Sequence, residues 1–510
     1  MDYIHTPYFR VGRASDLQGT DKLIYRLLEI LPGFLSWGTI LGTIFLSLFF
    51  PVFAAYFIIA FDTYWILKTA YLSFHLRHNW KRIKFNLALN WREMLSKVKY
   101  EHIFHLIILP YYTEDLVVVE HSVKALLETD YDKSKMILVL ATEEKGGEKP
   151  QEIAKFIEKH YGSKFGYFLT TVHPKDTLGE MPGKGSNISY AAEEARKLIL
   201  DEHNLSYRDI VVSAFDVDTV AYKEYFLCLT WHFLTNPNPF KVSFQPVPFY
   251  NNNIWYAPAF SRVAAGSSTF WQMMQQERPE KLATFSSHSV SFQSLYEIGY
   301  WQKNMVSEDS RIFWNLFLAH NGDYSVVPLS YPVSMDANLA PTTWQTVKNI
   351  YKQHRRWAWG VENIPYMLFG FIKNKKIPWG TKLRASFVQV EGFWSLATNP
   401  LMIFMLGWLP VMLGGMRFNQ TILSYNLPMF TRNMMFFAMI GLVLSAMIYI
   451  SFLPERPKNF KGTNKLFMIL QWLLIPITIT IFGAIPGLDA QTRLMLGRYM
   501  GFWVTPKYRK

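Results

Sequence analysis

The chain has 510 residues, half of them hydrophobic, 17% aromatic and only 18% charged, which is below the roughly one quarter usual in soluble proteins; the mean hydropathy of +0.05 is still too low for a chain wholly inside a bilayer. A net charge of +13, from 52 basic and 39 acidic residues, suits anionic lipid or phosphate-bearing substrates, and without zinc-finger spacing or an RNA-binding signature it gives no ground to expect nucleic acid as a partner. The single cysteine, Cys228, excludes an internal disulfide and any multi-thiolate metal site, as suits a reducing compartment.

Residues 1–33 are mixed and partly basic (Arg10, Arg13, Lys22, Arg26). They lack the short apolar core and small-residue cleavage site of a removed leader, and are expected on the cytoplasmic side. Residues 34–75 are almost continuously apolar, with Asp62 and Lys68 the only charges before the run's end. About twenty apolar residues cross a bilayer core, so this block reads as two spanning helices divided at Pro51. The basic run His75-Leu-Arg-His-Asn-Trp-Lys-Arg-Ile-Lys84 follows directly and marks the cytoplasmic face, placing the domain at 76–345 there.

That domain reads as α/β. Short apolar runs at Ile103–Leu109, Met136–Leu140 and Ile210–Phe215 alternate with helical patterns at 116–128 and 187–202. Such alternation predicts a mostly parallel sheet, whose ligands bind at the carboxyl ends of its strands. Residues 346–388 read as interfacial helices. Residues 389–488 form a C-terminal region of three or four spans, with apolar stretches near 391–413, 433–453 and 466–486. The lysine-rich loop 454–465 is expected in the cytoplasm and 414–432 outside. The basic tail 489–510 then conflicts with the count. Three crossings put it outside, whereas Arg493, Arg498, Lys507, Arg509 and Lys510 ask to be inside. Either the last stretch, which holds Pro476, is re-entrant or split, or a span is misread.

Three clusters carry candidate chemistry. Asp216-Val217-Asp218 follows the strand run Ile-Val-Val-Ser-Ala-Phe. Two carboxylates at that spacing suit a hard divalent cation, Mg2+ or Mn2+, completed by substrate phosphates. A similar Asp130-Tyr131-Asp132 follows a helix and reads as a surface turn. Ser307-Glu308-Asp309 precedes an amphipathic helix. It is either a helix cap with acids favoured by the dipole, or a general base, Asp309, beside Glu308. Gln353-His354-Arg355-Arg356-Trp357 is either a basic interfacial helix or a phosphate and sugar contact, with the Arg356 fork for phosphate and the Trp357 ring for a sugar face.

Taken in this order, Asp-Xaa-Asp, Glu-Asp and Gln-Xaa-Xaa-Arg-Trp resemble the processive membrane family 2 glycosyltransferases, the group of cellulose, chitin and hyaluronan synthases. The resemblance covers about residues 30–490. It implies a GT-A-like α/β nucleotide-sugar domain between N- and C-terminal transmembrane helices of a multi-pass plasma-membrane enzyme, with its catalytic domain cytoplasmic. Pro110-Tyr-Tyr-Thr-Glu114 resembles the family's Pro-Xaa-Tyr-Asn-Glu entry to the nucleotide pocket, with Thr113 in place of Asn. Tyr112 and Glu114 would then meet base and ribose. Glu143 stands where the family has an Asp against uracil. Lys184, in Gly183-Lys-Gly-Ser-Asn187, would reach the diphosphate, aided by a helix N-terminus. His288, in Ser286-Ser-His-Ser289, falls where the family has a small motif near the acceptor sugar, unless the correspondence slips there and His288 is a loop residue.

The implied reaction is inverting transfer from a nucleotide-diphosphate sugar, with a UDP-sugar expected, to a growing glycan or lipid-linked acceptor. A cation on Asp218 and Asp216, with Lys184 and Arg356, would neutralise the leaving diphosphate. Trp357 would hold the acceptor at a channel mouth, and Gln353 completes its motif. Membrane lipids and a homo-oligomer or accessory subunits are further expected partners. Rival readings are transfer of a single sugar to a lipid carrier, a transporter or scaffold without catalysis, and nucleic-acid binding.

Overall fold

The computed structural model describes residues 2–404, 406–457 and 465–509. The expected positive loop at 454–465 therefore lies largely outside the described residues, Lys458 and Lys461 included.

Two long helices open the chain, α1 (Gly19–Phe49) and α2 (Pro51–Ala88). Pro51 sits in the first turn of α2, where its missing N–H costs nothing. Neither helix respects the composition boundaries at 33/34 and 75/76. Their polar ends are held by the domain beyond. Glu29 on α1, 1% exposed, accepts from the Ala14 amide at 3.0 Å and from Tyr499 Oη at 2.8 Å. On α2, Asn86 Nδ2 donates to the Leu329 and Ser330 carbonyls at 3.1 Å each.

The domain alternates strands and helices: β1 (Phe104–Pro110), α3 (Leu116–Glu128), β2 (Met136–Glu143), α4 (Glu148–Tyr161), β3 (Tyr167–His173), α5 (Lys184–Ala195), β4 (Ile210–Ala214), β5 (Val220–Ala221), α6 (Tyr225–Thr235), β6 (Val242–Tyr250), α7 (Ala259–Gln276), β7 (Ser289–Ser291), α8 (Glu308–Ala319) and β8 (Ser325–Met335). The sheet order is β3-β2-β1-β4-β7-β6-β8-β5. Pairs β1/β2, β2/β3, β1/β4 and β6/β8 are parallel; β4/β7, β6/β7 and β5/β8 are antiparallel. The sheet is thus mixed and mostly parallel. Alternate residues of one strand feed two cores: Leu106 and Ile108 pack under α5 and α8, while Ile107 and Leu109 face α3, α4 and α6. A strand buried on both faces reads as an unbroken apolar run, which is why β1, β2 and β4 stand out in the sequence. Asp130–Asp132 lies in the turn from α3 to β2, where Asp132 Oδ1 caps a short helical turn through the Ser134 amide at 2.9 Å.

Beyond the sheet follow α9 (Thr343–Ala358), α10 (Asn363–Lys373), α11 (Trp379–Phe404) and α12 (Ile422–Ile450). A terminal apolar segment then runs as helical pieces Lys465–Leu470, Ile475–Ile479 and Ile485–Met495, the last two each with proline in the first turn. Among the described residues, three helices are long and apolar enough to cross a membrane: Gly19–Phe49, Pro51–Ala88 and Leu466–Met495.

The terminal segment nevertheless begins and ends against the sheet domain. Trp472 stacks on Phe270 of α7 with ring centroids 5.1 Å apart, and Phe482 stacks on Phe260 at 6.1 Å. Asp489 accepts from Tyr351 Oη at 3.0 Å and Arg355 Nη1 at 2.9 Å, both on α9. The segment is split, and the tail beyond it returns to the sheet domain, where Lys507 meets Asp218 and Arg509 meets Asp336.

Candidate active site

The site lies where β4, β6 and β8 end. Asp216 and Asp218 leave β4, Asp336 leaves β8, and Asp309 stands in the first turn of α8. Lys184, the first residue of α5, joins them. Its Nζ donates to Asp216 Oδ1 at 2.6 Å and to both Asp309 oxygens at 3.0 Å. The ammonium is 8% exposed, so the expected diphosphate ligand is tied first to two carboxylates. Burial alone would lower the Lys184 pKa; Asp216, Asp309 and Glu308 together raise it instead. Gly183 makes this close helix start possible. Its φ of +149° suits no L side chain, and a Cβ there would lie 2.6 Å from the Phe502 ring.

The two aspartates of the Asp-Xaa-Asp pair differ. Asp216 also accepts from Ser286 Oγ at 2.7 Å. Burial would raise its carboxyl, but the Lys184 and Lys507 charges and these hydrogen bonds hold it well below the usual range. Asp218 is fully buried. Its Oδ2 accepts from the Asp336 amide at 2.9 Å and Lys507 Nζ at 2.6 Å. Burial, with Asp336 and Asp216 nearby, raises its pKa against the Lys507 charge. Asp218 Oδ1 is buried with no partner. An orphaned carboxylate oxygen among oxygen donors fits a hard divalent cation whose coordination phosphates complete. Among the described residues, no group of three or more His, Cys, Asp or Glu side chains could hold a metal by itself.

Glu308 is 2% exposed with Oε1 unpartnered. Burial and the Asp309 charge push its pKa up to about 8. Ser307 occupies the cap position of α8 without a side-chain cap bond. Glu362 does that work from beyond α9: Oε1 accepts from the Ser307 amide at 2.9 Å and Oε2 from Trp359 Nε1 at 2.9 Å. His288 is fully buried behind Asp309, its Nδ1 3.6 Å from Asp309 Oδ1. Trp301 Nε1 donates to its Nε2 at 3.2 Å and Nδ1 lies 2.9 Å from the Phe285 carbonyl. These bonds require a neutral ring with its proton on Nδ1, and burial lowers its pKa accordingly. The imidazole is thus enclosed, packed directly behind Asp309.

The remaining candidates spread around this centre. Trp357 is half-buried, with ring centroids 5.8 Å from Tyr250 and 5.9 Å from Phe285. Arg356 lies over the Phe502 ring at 5.1 Å. Gln353 is buried, and its Oε1 accepts from Asn338 Nδ2 at 3.5 Å. At the β1 and β2 ends, Glu114 Oε2 accepts from the Tyr112 and Thr113 amides at 2.8 and 3.1 Å. Burial raises the pKa of both Glu114 and Glu143. Glu143 pairs in register with His173 and lines a cavity with Lys145, Glu180 and Pro182, apart from the aspartates.

Sequence reasoning missed Asp336, Lys507 and Arg509. Arg509 binds both Asp336 oxygens, at 3.0 and 2.7 Å. Asp336 was findable as an acid just past a strand end; the tail cations had no signal beyond their charge.

The Glu308 pKa has a consequence for stability. An acid whose folded pKa lies above its unfolded value adds stability below the unfolded pKa and loses it as pH rises through the folded one. Between about pH 4.3 and pH 8 only the folded chain keeps this proton. The wild-type melting temperature should therefore fall across that window by more than that of Glu308→Gln. Parallel curves for the two proteins would contradict the assignment.

Residues 211–484 match the family described as Glycosyl transferase family group 2. No curated protein sequence matches the chain. Among solved structures, the mannosyltransferase PcManGT from Pyrobaculum calidifontis, determined with GDP-Man and Mn2+, is 13% identical with a TM-score of 0.42, covering 86% of this chain and 99% of its own. The S. aureus TarS 1–349 structure with UDP-GlcNAc is 12% identical with a TM-score of 0.34, covering 71% of this chain and 100% of its own. The family match takes in more than half of the chain, and with it the strand end that carries Asp216 and Asp218: the chain belongs to glycosyl transferase family group 2 and is a glycosyltransferase.

Proposed function

We propose that the protein transfers a sugar, with inversion, from a nucleotide-diphosphate donor, UDP-linked by the sequence resemblance, to a membrane-borne acceptor on the cytoplasmic side of the plasma membrane. The observation that carries this reading is the Lys184 ammonium bridging Asp216 and Asp309 at the strand ends. Asp309 takes the proton of the acceptor hydroxyl, whose oxygen attacks the anomeric carbon. The bond to the diphosphate breaks, its electron pair leaves with the nucleoside diphosphate, and one such displacement inverts the anomeric centre. Lys184 and the Glu362 bonds to the Ser307 loop fix the base; His288 backs it. By the resemblance, Tyr112, Glu114 and Glu143 at the β1 and β2 ends would meet base and ribose. A Mg2+ or Mn2+ ion would be held by the Asp218 oxygens beside Asp216, and when bound it supplies charge to the diphosphate.

The half-buried Trp357, with Tyr250 and Phe285, offers an aromatic platform at the acceptor end. With the resemblance to polymer synthases, it supports repeated addition to a glycan passed outward between α1, α2, α11 and α12. The alternative is one transfer to a lipid carrier, which product length distinguishes.

Full-length protein with Mn2+ and a panel of nucleotide sugars should release nucleoside diphosphate from one donor, and Asp309→Asn should slow transfer by about 10²–10⁴-fold. Undiminished transfer by Asp309→Asn would remove the base assignment. Because Lys507 competes for Asp218 Oδ2, Lys507→Gln should reach half-maximal rate at several-fold lower Mn2+. An unchanged Mn2+ requirement would show that the two cations do not share the carboxylate.

A further inference from the structure

Arg278 is 5% exposed and follows α7. Its guanidinium lies over the Tyr71 ring of α2 at 5.6 Å. Among the described residues its side chain makes no hydrogen bond or ion pair, and its Nε is buried without a partner. The neighbouring acid does not serve it. Glu277 is taken by His78 Nδ1 at 2.6 Å, Asn79 Nδ2 at 2.9 Å and Arg82 at 3.6 Å. A second cation, Lys281, is half-buried, and burial together with the Arg278 and Lys68 charges lowers its pKa against Glu391 and the exposed Glu280. Lys68 itself is bound to Glu391 and donates to Ser395 Oγ at 3.2 Å.

A buried cation without a counter-ion is costly, and an anionic ligand at that place would offset the cost. Its place narrows the ligand. Arg278 packs on Tyr71, just before the basic run of α2 that begins at His75, the stretch that a membrane-spanning α2 would bring to the lipid headgroups. Eight residues further along the chain, Ser286 binds Asp216, so the same loop runs from this cation into the acceptor side of the active site. An arginine fork matches phosphate oxygens bidentately, and basic pockets between helices at the cytoplasmic face bind lipid headgroups.

We propose that Arg278, with Lys281 beside it, is the binding site for the phosphate headgroup of a membrane-borne lipid that carries the acceptor. This rests on the transferase reading only for the role of the lipid as acceptor. A bulk phospholipid offers similar phosphate chemistry, and the experiment separates the two.

The test uses detergent-purified full-length protein without any sugar donor. Polyprenyl phosphate, phosphatidylglycerol and inorganic phosphate are compared by native mass spectrometry and by thermal unfolding. Wild type should retain polyprenyl phosphate at least tenfold better than phosphatidylglycerol or inorganic phosphate and melt higher with it. Arg278→Met should bind it at least tenfold more weakly, lose the thermal shift, and melt higher than wild type in the absence of lipid, since the uncompensated charge is gone. Arg278→Lys should restore part of the binding. The proposal is overturned if Arg278→Met melts lower than wild type without lipid, if it binds polyprenyl phosphate as wild type does, or if phosphatidylglycerol binds wild type as tightly. Nucleoside diphosphate release is measured separately: a protein that holds the lipid but consumes no donor refutes the proposed function and leaves this site standing.

Discussion

One buried ammonium organises the site. Asp216 comes from the end of β4 and Asp309 from the start of α8, elements 93 residues apart in the chain, and both are aimed at the same small volume. Two carboxylates in a low-dielectric site repel strongly. Lys184 turns that repulsion into a bridge, and it can do so because α5 starts at Lys184 and Gly183 lets the tail pass at van der Waals distance. Glu308, one residue from Asp309, has no such partner and keeps its proton instead. Of these two adjacent acids on one helix turn, only Asp309 makes a direct ion pair with the ammonium.

The rest of the chain closes around this point. The N-terminal segment reaches it from one side: Arg311 on α8, fully buried, donates to the Val11 carbonyl at 3.1 Å and stacks on Tyr366 at 3.9 Å. The C-terminal tail reaches it from the other, with Lys507 on Asp218 and Arg509 on Asp336. The bonds from Glu362 to the Ser307 amide and Trp359 tie the start of α8, with Asp309 in its first turn, to the end of the helix that carries Arg356 and Trp357. The start of α8, the end of α9 and both chain-terminal segments are therefore held together around the aspartates.

The sheet's inner strands were legible because each is a short apolar run buried on both faces; α3 was legible from its period, over the same residues 116–128. The edges were not. β5 and β7 hold two and three residues, too few for a pattern, and β8 carries two prolines, Pro328 and Pro332, that break the strand signal. Composition drew domain limits where apolar runs stop, whereas α1 already begins at Gly19 and α2 runs on to Ala88, with Asn86 bonded to β8 carbonyls. The terminal segment keeps the length and hydropathy of a crossing, but its contacts with α7 and α9 join residues far apart in sequence and left no local pattern. Within the site, Asp216, Asp218 and Asp309 could be read from local context. Lys507, Asp336 and the partners of His288 could not, since those contacts join residues far apart in sequence.

The central claim is that Lys184 holds Asp216 and Asp309 as one unit. A double-mutant cycle on Lys184→Met and Asp309→Asn, read in thermal stability of the full-length protein, tests it most directly. Removing the ammonium alone leaves two half-buried carboxylates unpaired and should lower stability, with Asp309→Asn recovering part of that loss, so that the two changes couple by more than about 1 kcal/mol. Additive effects would contradict the account.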